Sequence, residues 1–216
     1  RAAELTPAAV SKNVVVVGGG PGGLYAAWAC AVRGHKVTLL EKNQELGGNF
    51  RIASYPTGKG QISEAIRSMI VRAKQAGVNI RLNTEATEES LRALAPDAVI
   101  LATGSVPLVL PIPGLAECGY VTAQDLLLGK TAAGRRALVV GGGMVGCEAA
   151  EYLAERGHQV AIVEMKDVIA ADVTPENRRY MFRNFGENHV LLQPGAKAPG
   201  NAVLATGDAL EAALAI

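Results

Sequence analysis

One segment of 28 residues occurs twice in this sequence, and this repeat constrains the fold more than any other feature. Residues 14–41 read VVVVGGGPGGLYAAWACAVRGHKVTLLE, and residues 137–164 read ALVVGGGMVGCEAAEYLAERGHQVAIVE. The two copies align without a gap after a shift of 123 residues, and 14 of the 28 positions are identical. We therefore expect the chain to form the same local structure twice.

Each copy predicts a strand, a glycine turn, a helix and a second strand. In the first copy an apolar run at 14–17 is typical of a buried strand. The alanine-rich stretch after the glycines predicts a helix that ends near Gly34. A second apolar run at 36–40 leads to Glu41. The second copy has the same features at 137–140, Gly157, 159–163 and Glu164. The repeat thus predicts two βαβ units.

Both turns carry the pattern G-x-G-x-x-G, which consists of Gly18, Gly20 and Gly23 and then of Gly141, Gly143 and Gly146. The first glycine permits the tight turn, the second lets a pyrophosphate approach the backbone, and the third lets helix and strand pack closely. The phosphates bind at the positive end of the helix, and the acid after the second strand accepts hydrogen bonds from the adenosine ribose. We interpret both copies as dinucleotide sites; the alternative is one working site and one structural relic.

The rest of the chain carries weaker signals. The pair Gly47-Gly48 marks a loop, which is either a second backbone approach to the first dinucleotide or an ordinary turn. Further patterns predict a helix at 61–76, a strand at 78–86, a short helix capped by Thr87, a buried strand at 97–104 that ends in Gly104, a proline-rich linker at 105–115, a helix from Thr174-Pro175, a third strand at 190–194, and a strand, turn and helix at 202–216.

Composition excludes several classes of function. Lys and Arg number 21 against 20 Asp and Glu, and aromatic residues are only 4%, which argues against binding of nucleic acid or an anionic membrane. We find no apolar run long enough for a membrane span and no signal core at the beginning, so we expect a cytoplasmic protein. The three cysteines are far apart and form no CxxC pair, which argues against a disulfide framework, a metal site and a redox dithiol.

Several segments together resemble one family. They include GGGPGGLYAAWACAVRGHKVTLLEKNQELGGNF, YPTGKGQI, PDAVILATGSVP, VTAQDLLLGK and VVGGGMVGCEAAEYLAERGHQVAIVEM. From about residue 13 to residue 185 the chain resembles the C-terminal half of the fused flavin reductases. That group includes 2,4-dienoyl-CoA reductase, enoate and bile-acid reductases, and the trimethylamine and histamine dehydrogenases.

The resemblance implies the cofactors and the residues that hold them. FAD, or ADP in its place, is expected at Gly18, Gly20, Pro21, Gly23, Glu41, Lys42, Gly47, Gly48, Gly104 and Asp208. The nicotinamide cofactor is expected at Gly141, Gly143, Met144, Gly146 and Glu164. The carboxylate of Glu164 favours NADH over NADPH, because it repels a 2′-phosphate. We expect no catalytic side chain and no metal ligand in this chain, since the cofactors carry the chemistry.

The expected fold class is α/β, with two Rossmann-like dinucleotide-binding domains. The first domain comprises residues 1–106 and 200–216. The second domain comprises residues 107–199; it is inserted into the first and is shorter than a complete nicotinamide domain.

The resemblance implies that electrons pass from NADH to FAD and on to an absent N-terminal barrel with FMN and an iron–sulfur cluster. That barrel reduces an enoate or dienoyl-type substrate. Alternatives are a non-catalytic ADP-binding module of an amine dehydrogenase and a self-standing reductase with a separate partner. Self-association is left open.

Overall fold

The computed structural model describes residues 5–56 and 58–196. These residues form two compact units, with the boundary between Val106 and Pro107, inside the segment predicted to be a linker. Each unit contains one sheet of parallel strands with helices packed against it. The prediction of two parallel α/β units is confirmed.

The first unit is a four-stranded parallel sheet in the order β3-β2-β1-β4. Its strands are β1 (Asn13–Val17), β2 (Lys36–Leu40), β3 (Asn79–Arg81) and β4 (Ala98–Leu101). Its helices are α1 (Pro21–Val32), α2 (Gly48–Ile52), α3 (Gly60–Gln75) and α4 (Glu88–Ala93). The central strand β1 places Val15 between Thr38 of β2 and Val99 of β4.

The core of the first unit lies around β1, where the apolar run is continuous. Val15 and Val16 are both 0% exposed, as expected for a parallel strand between two others. Helix α1 covers the sheet with Leu24 and Ala27, which are also fully buried. It ends at Val32, and the φ of +92° at Gly34, two residues further on, suits glycine and lets the chain turn back into β2.

The second unit is a three-stranded parallel sheet in the order β5-β6-β7. Its strands are β5 (Arg136–Val140), β6 (Gln159–Val163) and β7 (Leu191–Gln193). Its helices are α5 (Leu115–Cys118), α6 (Ala123–Leu127), α7 (Met144–Ala154) and α8 (Pro175–Glu187). The core contains Cys147 of α7, Ile162 of β6 and Phe185 of α8. The predicted helix after Thr174 and the predicted third strand are both present.

Two predictions for the first unit were wrong in detail. Strand β4 is not buried, because only Ala98 and Ile100 face the core, whereas Leu101 is 73% exposed. The strand predicted at 78–86 is shorter, since pairing with β2 ends at Arg81 and Asn83 turns the chain at a φ of +51°. The elements predicted at 202–216 and the proposed contribution of 200–216 to the first domain lie outside the described residues.

Candidate functional site

The first glycine turn, residues 18–23, joins β1 to α1. Gly18 has a φ of +107°, and a Cβ atom placed on it would lie 2.2 Å from the Ala102 oxygen. A Cβ atom on Gly23 would lie 1.8 Å from the Gly18 oxygen. Both distances are far below van der Waals contact. The packing of the chain on itself therefore requires glycine at these two positions.

Gly20 is different, because nothing in the described chain requires a glycine there. Its backbone has φ −74° and ψ −178°, which any residue adopts. A Cβ atom placed on Gly20 would meet no atom within 4 Å. Gly20 is the N-cap of α1, and Pro21 follows as the first helical residue. The open space thus lies at the positive end of a twelve-residue helix.

Glu41 follows β2 and reaches back to the first turn. Its Oε2 accepts a hydrogen bond from the Gly19 N–H at 2.7 Å. Its Oε1 accepts from the Asn43 N–H at 2.8 Å and from the Asn43 side-chain amide at 2.7 Å. Glu41 is only 5% exposed. A carboxylate accepts about four hydrogen bonds, so these three leave capacity for one more.

The Gly47-Gly48 pair also lies against the first turn. Gly47 has a φ of +109°, caps α2, and donates its N–H to the Gly19 oxygen at 2.8 Å. A Cβ atom on Gly48 would lie 3.2 Å from the Gly20 Cα atom. Of the two interpretations of this pair, the arrangement favours a second backbone approach to the ligand. The pair is the start of a short helix rather than a plain loop.

The remaining predicted residues of the first site are Lys42, Gly104 and Asp208. Asn49 of α2 donates its side-chain amide to the Ser105 oxygen at 2.9 Å, which ties α2 to the segment beside Gly104. Lys42 is exposed. Asp208 lies outside the described residues. The structure thus brings the glycines and Glu41 together and leaves the roles of Lys42 and Asp208 as predictions.

The second glycine turn, residues 141–146, repeats this geometry between β5 and α7. Gly141 has a φ of +102°. A Cβ atom on Gly146 would lie 1.9 Å from the Gly141 oxygen. Glu164 accepts the Gly142 N–H on Oε2 at 2.7 Å and the Lys166 N–H on Oε1 at 2.9 Å. The bond from Lys166, followed by that from Gly142, holds the pKa of Glu164 below its ordinary value.

A carboxylate that the sequence pattern did not predict occupies the start of α7. The Met144 N–H donates to both oxygens of Asp172, at 3.0 and 3.1 Å. A Cβ atom on Gly143 would lie 3.3 Å from Asp172 Oδ2. A cavity of about 100 Å³ lies here, lined by Gly142, Gly143, Glu164, Lys166, Val168, Ala171 and Asp172. Asp172 therefore lies in the region where the pattern predicts a pyrophosphate.

The 123-residue correspondence continues beyond the acids, although no residue at 42–50 is identical to its partner at 165–173. Ala170, the partner of Gly47, donates its N–H to the Gly142 oxygen at 2.6 Å. It does so with a φ of +55°, again in the left-handed region. The matching apolar residues Leu46 and Ile169 are both buried. Residue identity could not have predicted this loop from the sequence, but the constant offset of 123 residues between the two copies could have.

The cysteines contribute no reactive thiol to either turn. Cys30, Cys118 and Cys147 are all free. Burial and, to a smaller extent, the Asp172 carboxylate raise the pKa of the Cys147 thiol to about 11. Burial also raises the pKa of Cys30.

Within residues 5–56 and 58–196, no group of three or more His, Cys, Asp or Glu side chains is placed to hold a metal ion. Within the same residues, no helix has the length and apolar character to cross a membrane.

Known proteins are similar to this chain in sequence and fold. The family model described as pyridine nucleotide-disulphide oxidoreductase matches residues 12–212. NADH oxidase of Thermoanaerobacter brockii is 45% identical over 196 residues, which covers 89% of this chain and 30% of the oxidase. Bilirubin reductase of Mediterraneibacter gnavus is 39% identical over 193 residues, with 89% and 30% covered. A solved 2-naphthoyl-CoA reductase in complex with 2-naphthoyl-CoA has a TM-score of 0.85 at 34% identity, over 88% of this chain and 29% of that one.

The matches confirm the resemblance to the fused flavin reductases and the Rossmann-type fold for FAD and NAD(P)H. The chain spans about 30% of the length of the curated relatives it matches. The chain belongs to the pyridine nucleotide-disulphide oxidoreductase family.

Proposed function

We propose that the first turn binds FAD, that the second binds NADH, and that the chain is the electron-input portion of a longer oxidoreductase. The observation that carries this proposal is the open space at Gly20. The backbone angles there suit any residue, and no neighbour among the described residues excludes a side chain, so that part of the chain does not itself require glycine. A ligand that must approach the backbone supplies that need.

In the first unit the proposed contacts follow from the positions of the groups. The N-terminus of α1 faces the pyrophosphate of FAD, and the remaining acceptor capacity of Glu41 serves the adenosine ribose. Gly48 gives the ligand a second glycine surface beside Gly20. Lys42, Gly104 and Asp208 remain proposed contacts from the resemblance. When bound, the flavin and the nicotinamide supply the redox chemistry, and the protein positions them.

We extend the proposal to the complete protein. The matched relatives are about three times as long as this chain, which is consistent with an N-terminal FMN and iron–sulfur barrel as the fused partner. An enoate or dienoyl-type compound is the proposed substrate, and the cytoplasm is the proposed compartment.

We also propose that residues 200–216 belong to the first domain and that residues 107–199 form an inserted second domain.

The first experiment is to identify the nucleotide that copurifies with the chain. A flavin absorption band near about 450 nm, a property of the cofactor itself, supports the proposed function. A colourless protein that releases ADP on denaturation supports instead a structural nucleotide-binding module. Release of neither nucleotide, together with no binding of added FAD, contradicts the proposed first site.

Gly20→Val is expected to abolish FAD retention while the first unit stays folded. The valine methyl groups enter the space proposed for the pyrophosphate, but the backbone angles at residue 20 suit valine. Flavin content per chain measures retention, and circular dichroism measures the fold. Gly186→Val is the matched control, because a Cβ atom there also meets nothing within 4 Å and residue 186 lies in α8 of the second unit. Full flavin content in Gly20→Val would refute the placement of the pyrophosphate.

We expect the second site to prefer NADH over NADPH by at least about tenfold in affinity, because a carboxylate repels a 2′-phosphate at short range. The charge of Lys166 already acts on Glu164, whose pKa it helps to lower, so it is a poor partner for an added phosphate. Calorimetric titration with each cofactor measures the ratio. Glu164→Gln should reduce the ratio, and equal affinities in the wild-type chain would show that Glu164 does not set the preference.

A further inference from the structure

The two units differ in charge at one matched position beside their glycine turns. Asn49 in the first unit and Asp172 in the second are separated by the same 123 residues as the two turns. The loops that carry them are held in the same way. In each unit a loop N–H donates to the oxygen of the residue between the first two pattern glycines, which is Gly19 or Gly142. A neutral amide in one unit thus corresponds to a carboxylate in the other.

The two side chains make different contacts. Asn49 donates to the Ser105 oxygen at 2.9 Å, and a Cβ atom on Gly20 still meets open space. Asp172 instead turns to the helix and accepts the Met144 N–H with both oxygens, at 3.0 and 3.1 Å. Among residues 5–56 and 58–196, no side chain lies within 4 Å of the Cβ position of Gly20 at the start of α1, whereas the start of α7 already holds an anion.

An amide group at a helix start binds one anionic partner at a time. In a G-x-G-x-x-G site the pyrophosphate uses the free N–H groups and the positive end of the helix. The Asp172 carboxylate uses the Met144 N–H in the same way. Within the short distances of this turn, two anions also repel one another strongly. Binding of a dinucleotide therefore requires the carboxylate to leave.

The surrounding loop allows that movement without unfolding. Ile169 and Ala170 are buried at 3% and 0% exposure and anchor the loop. Asp172 lies two residues further on and is exposed, so rotation of its side chain away from the Met144 N–H would bring the carboxylate into solvent. The anchored backbone keeps the carboxylate close to the turn in either position.

We propose that Asp172 is an internal anion that competes with the pyrophosphate of the nicotinamide cofactor for the start of α7 and so lowers the affinity of the second site. This inference rests on the proposed binding of NADH by the second unit. Glu164 disfavours only cofactors with a 2′-phosphate. Asp172 weakens the binding of every dinucleotide, with or without that phosphate. The first unit lacks this competitor and is the tighter nucleotide site.

The test is a calorimetric titration of the 216-residue chain, saturated with FAD, with NAD⁺, which cannot reduce the flavin. Asp172→Asn keeps the shape of the side chain and removes its charge. We expect it to bind NAD⁺ about tenfold more tightly than the wild-type chain, a change of about 1.4 kcal/mol. Asp172→Ser is a second variant with a smaller neutral side chain. Asp167→Asn is the matched control, because it removes the same charge from the same loop without touching Met144.

Each outcome decides between the two hypotheses. Tighter binding by both Asp172 variants, with Asp167→Asn unchanged, supports the competition. Equal binding by wild type and both Asp172 variants overturns the competition and leaves the proposed NADH site intact. If Asp167→Asn also binds NAD⁺ more tightly by the same factor, the cause is a general charge effect, and the proposed competition is overturned. No binding by wild type or by either variant overturns the proposed NADH site itself.

The reciprocal change tests the same idea in the first unit. Asn49→Asp places a carboxylate at the position that matches Asp172. Residue 21, which matches Met144, is a proline and has no N–H, so the new carboxylate would act on the FAD pyrophosphate by charge repulsion alone. We expect the flavin content of Asn49→Asp to fall below that of the wild-type chain, and Gln44→Glu, which matches the control position Asp167, to leave it unchanged. Full flavin retention in Asn49→Asp would contradict a competing role for a carboxylate at this position.

Discussion

Gly23→Ala is expected to destabilise the first unit by at least about 3 kcal/mol, beyond the usual cost of an overpacked core. The added methyl group would lie 1.8 Å from the Gly18 oxygen and 3.4 Å from the Ala102 Cβ atom. The Gly18 oxygen has little freedom to move, because the Gly18 N–H is bonded to the Leu40 oxygen at 2.8 Å. Helix α1 must therefore separate from β1, and that packing is the centre of the core.

The chain contains one tryptophan, Trp28, which lies in α1 and reports directly on this unit. Urea unfolding followed by its fluorescence measures the loss of stability. Gly22→Ala is the matched control, since a Cβ atom there meets nothing within 4 Å and alanine favours a helix. We expect the control to be as stable as the wild type or slightly more stable. A small loss in Gly23→Ala would mean that the turn can relax.

Glu41→Ala is expected to lower both stability and FAD retention. The change removes the acceptor of the Gly19 N–H and of two Asn43 groups, in a position that is 5% exposed. One hydrogen bond to a charged group contributes about 1.5–3 kcal/mol, and we expect a loss of at least this size in unfolding. The loss of FAD affinity comes from the proposed ribose contact and from the released turn.

Trp28 fluorescence and flavin content per chain separate the two effects of this substitution. Glu64→Ala, at an exposed position of α3, is the control and should change neither measurement. If Glu41→Ala retains its flavin at wild-type stability, the carboxylate has neither role. If it loses stability but retains flavin, Glu41 holds the turn without contacting the ribose.

The parts of the fold that the sequence predicted are those in which side chains dictate the backbone. The runs of valine and isoleucine predicted the central strands, and the glycines that cannot accept a Cβ atom predicted the turns. The capping residue Thr87 correctly predicted the start of α4, where its hydroxyl accepts the Ser90 N–H. In each case the pattern has one low-energy solution.

The parts that the sequence did not predict depend on contacts between distant backbone groups. The loops after Glu41 and Glu164 share no identical residue, yet the same N–H to oxygen bond places both. Because that bond involves no side chain, residue identity carried no signal for it, and Asp172 was missed. The exposure of β4 was missed for a related reason: an apolar run alone does not show whether both faces of a strand are covered.

Gly19 is held from both sides, with its N–H bonded to Glu41 and its oxygen bonded to the Gly47 N–H. A glycine-rich loop ordinarily loses much conformational entropy when a ligand fixes it. Here two bonds already hold Gly19 in the folded chain, so a nucleotide at the proposed site spends less of its binding free energy on ordering the loop. The proposed nucleotide site is therefore preorganised, and its affinity depends on fit and charge more than on closure of the loop around the ligand.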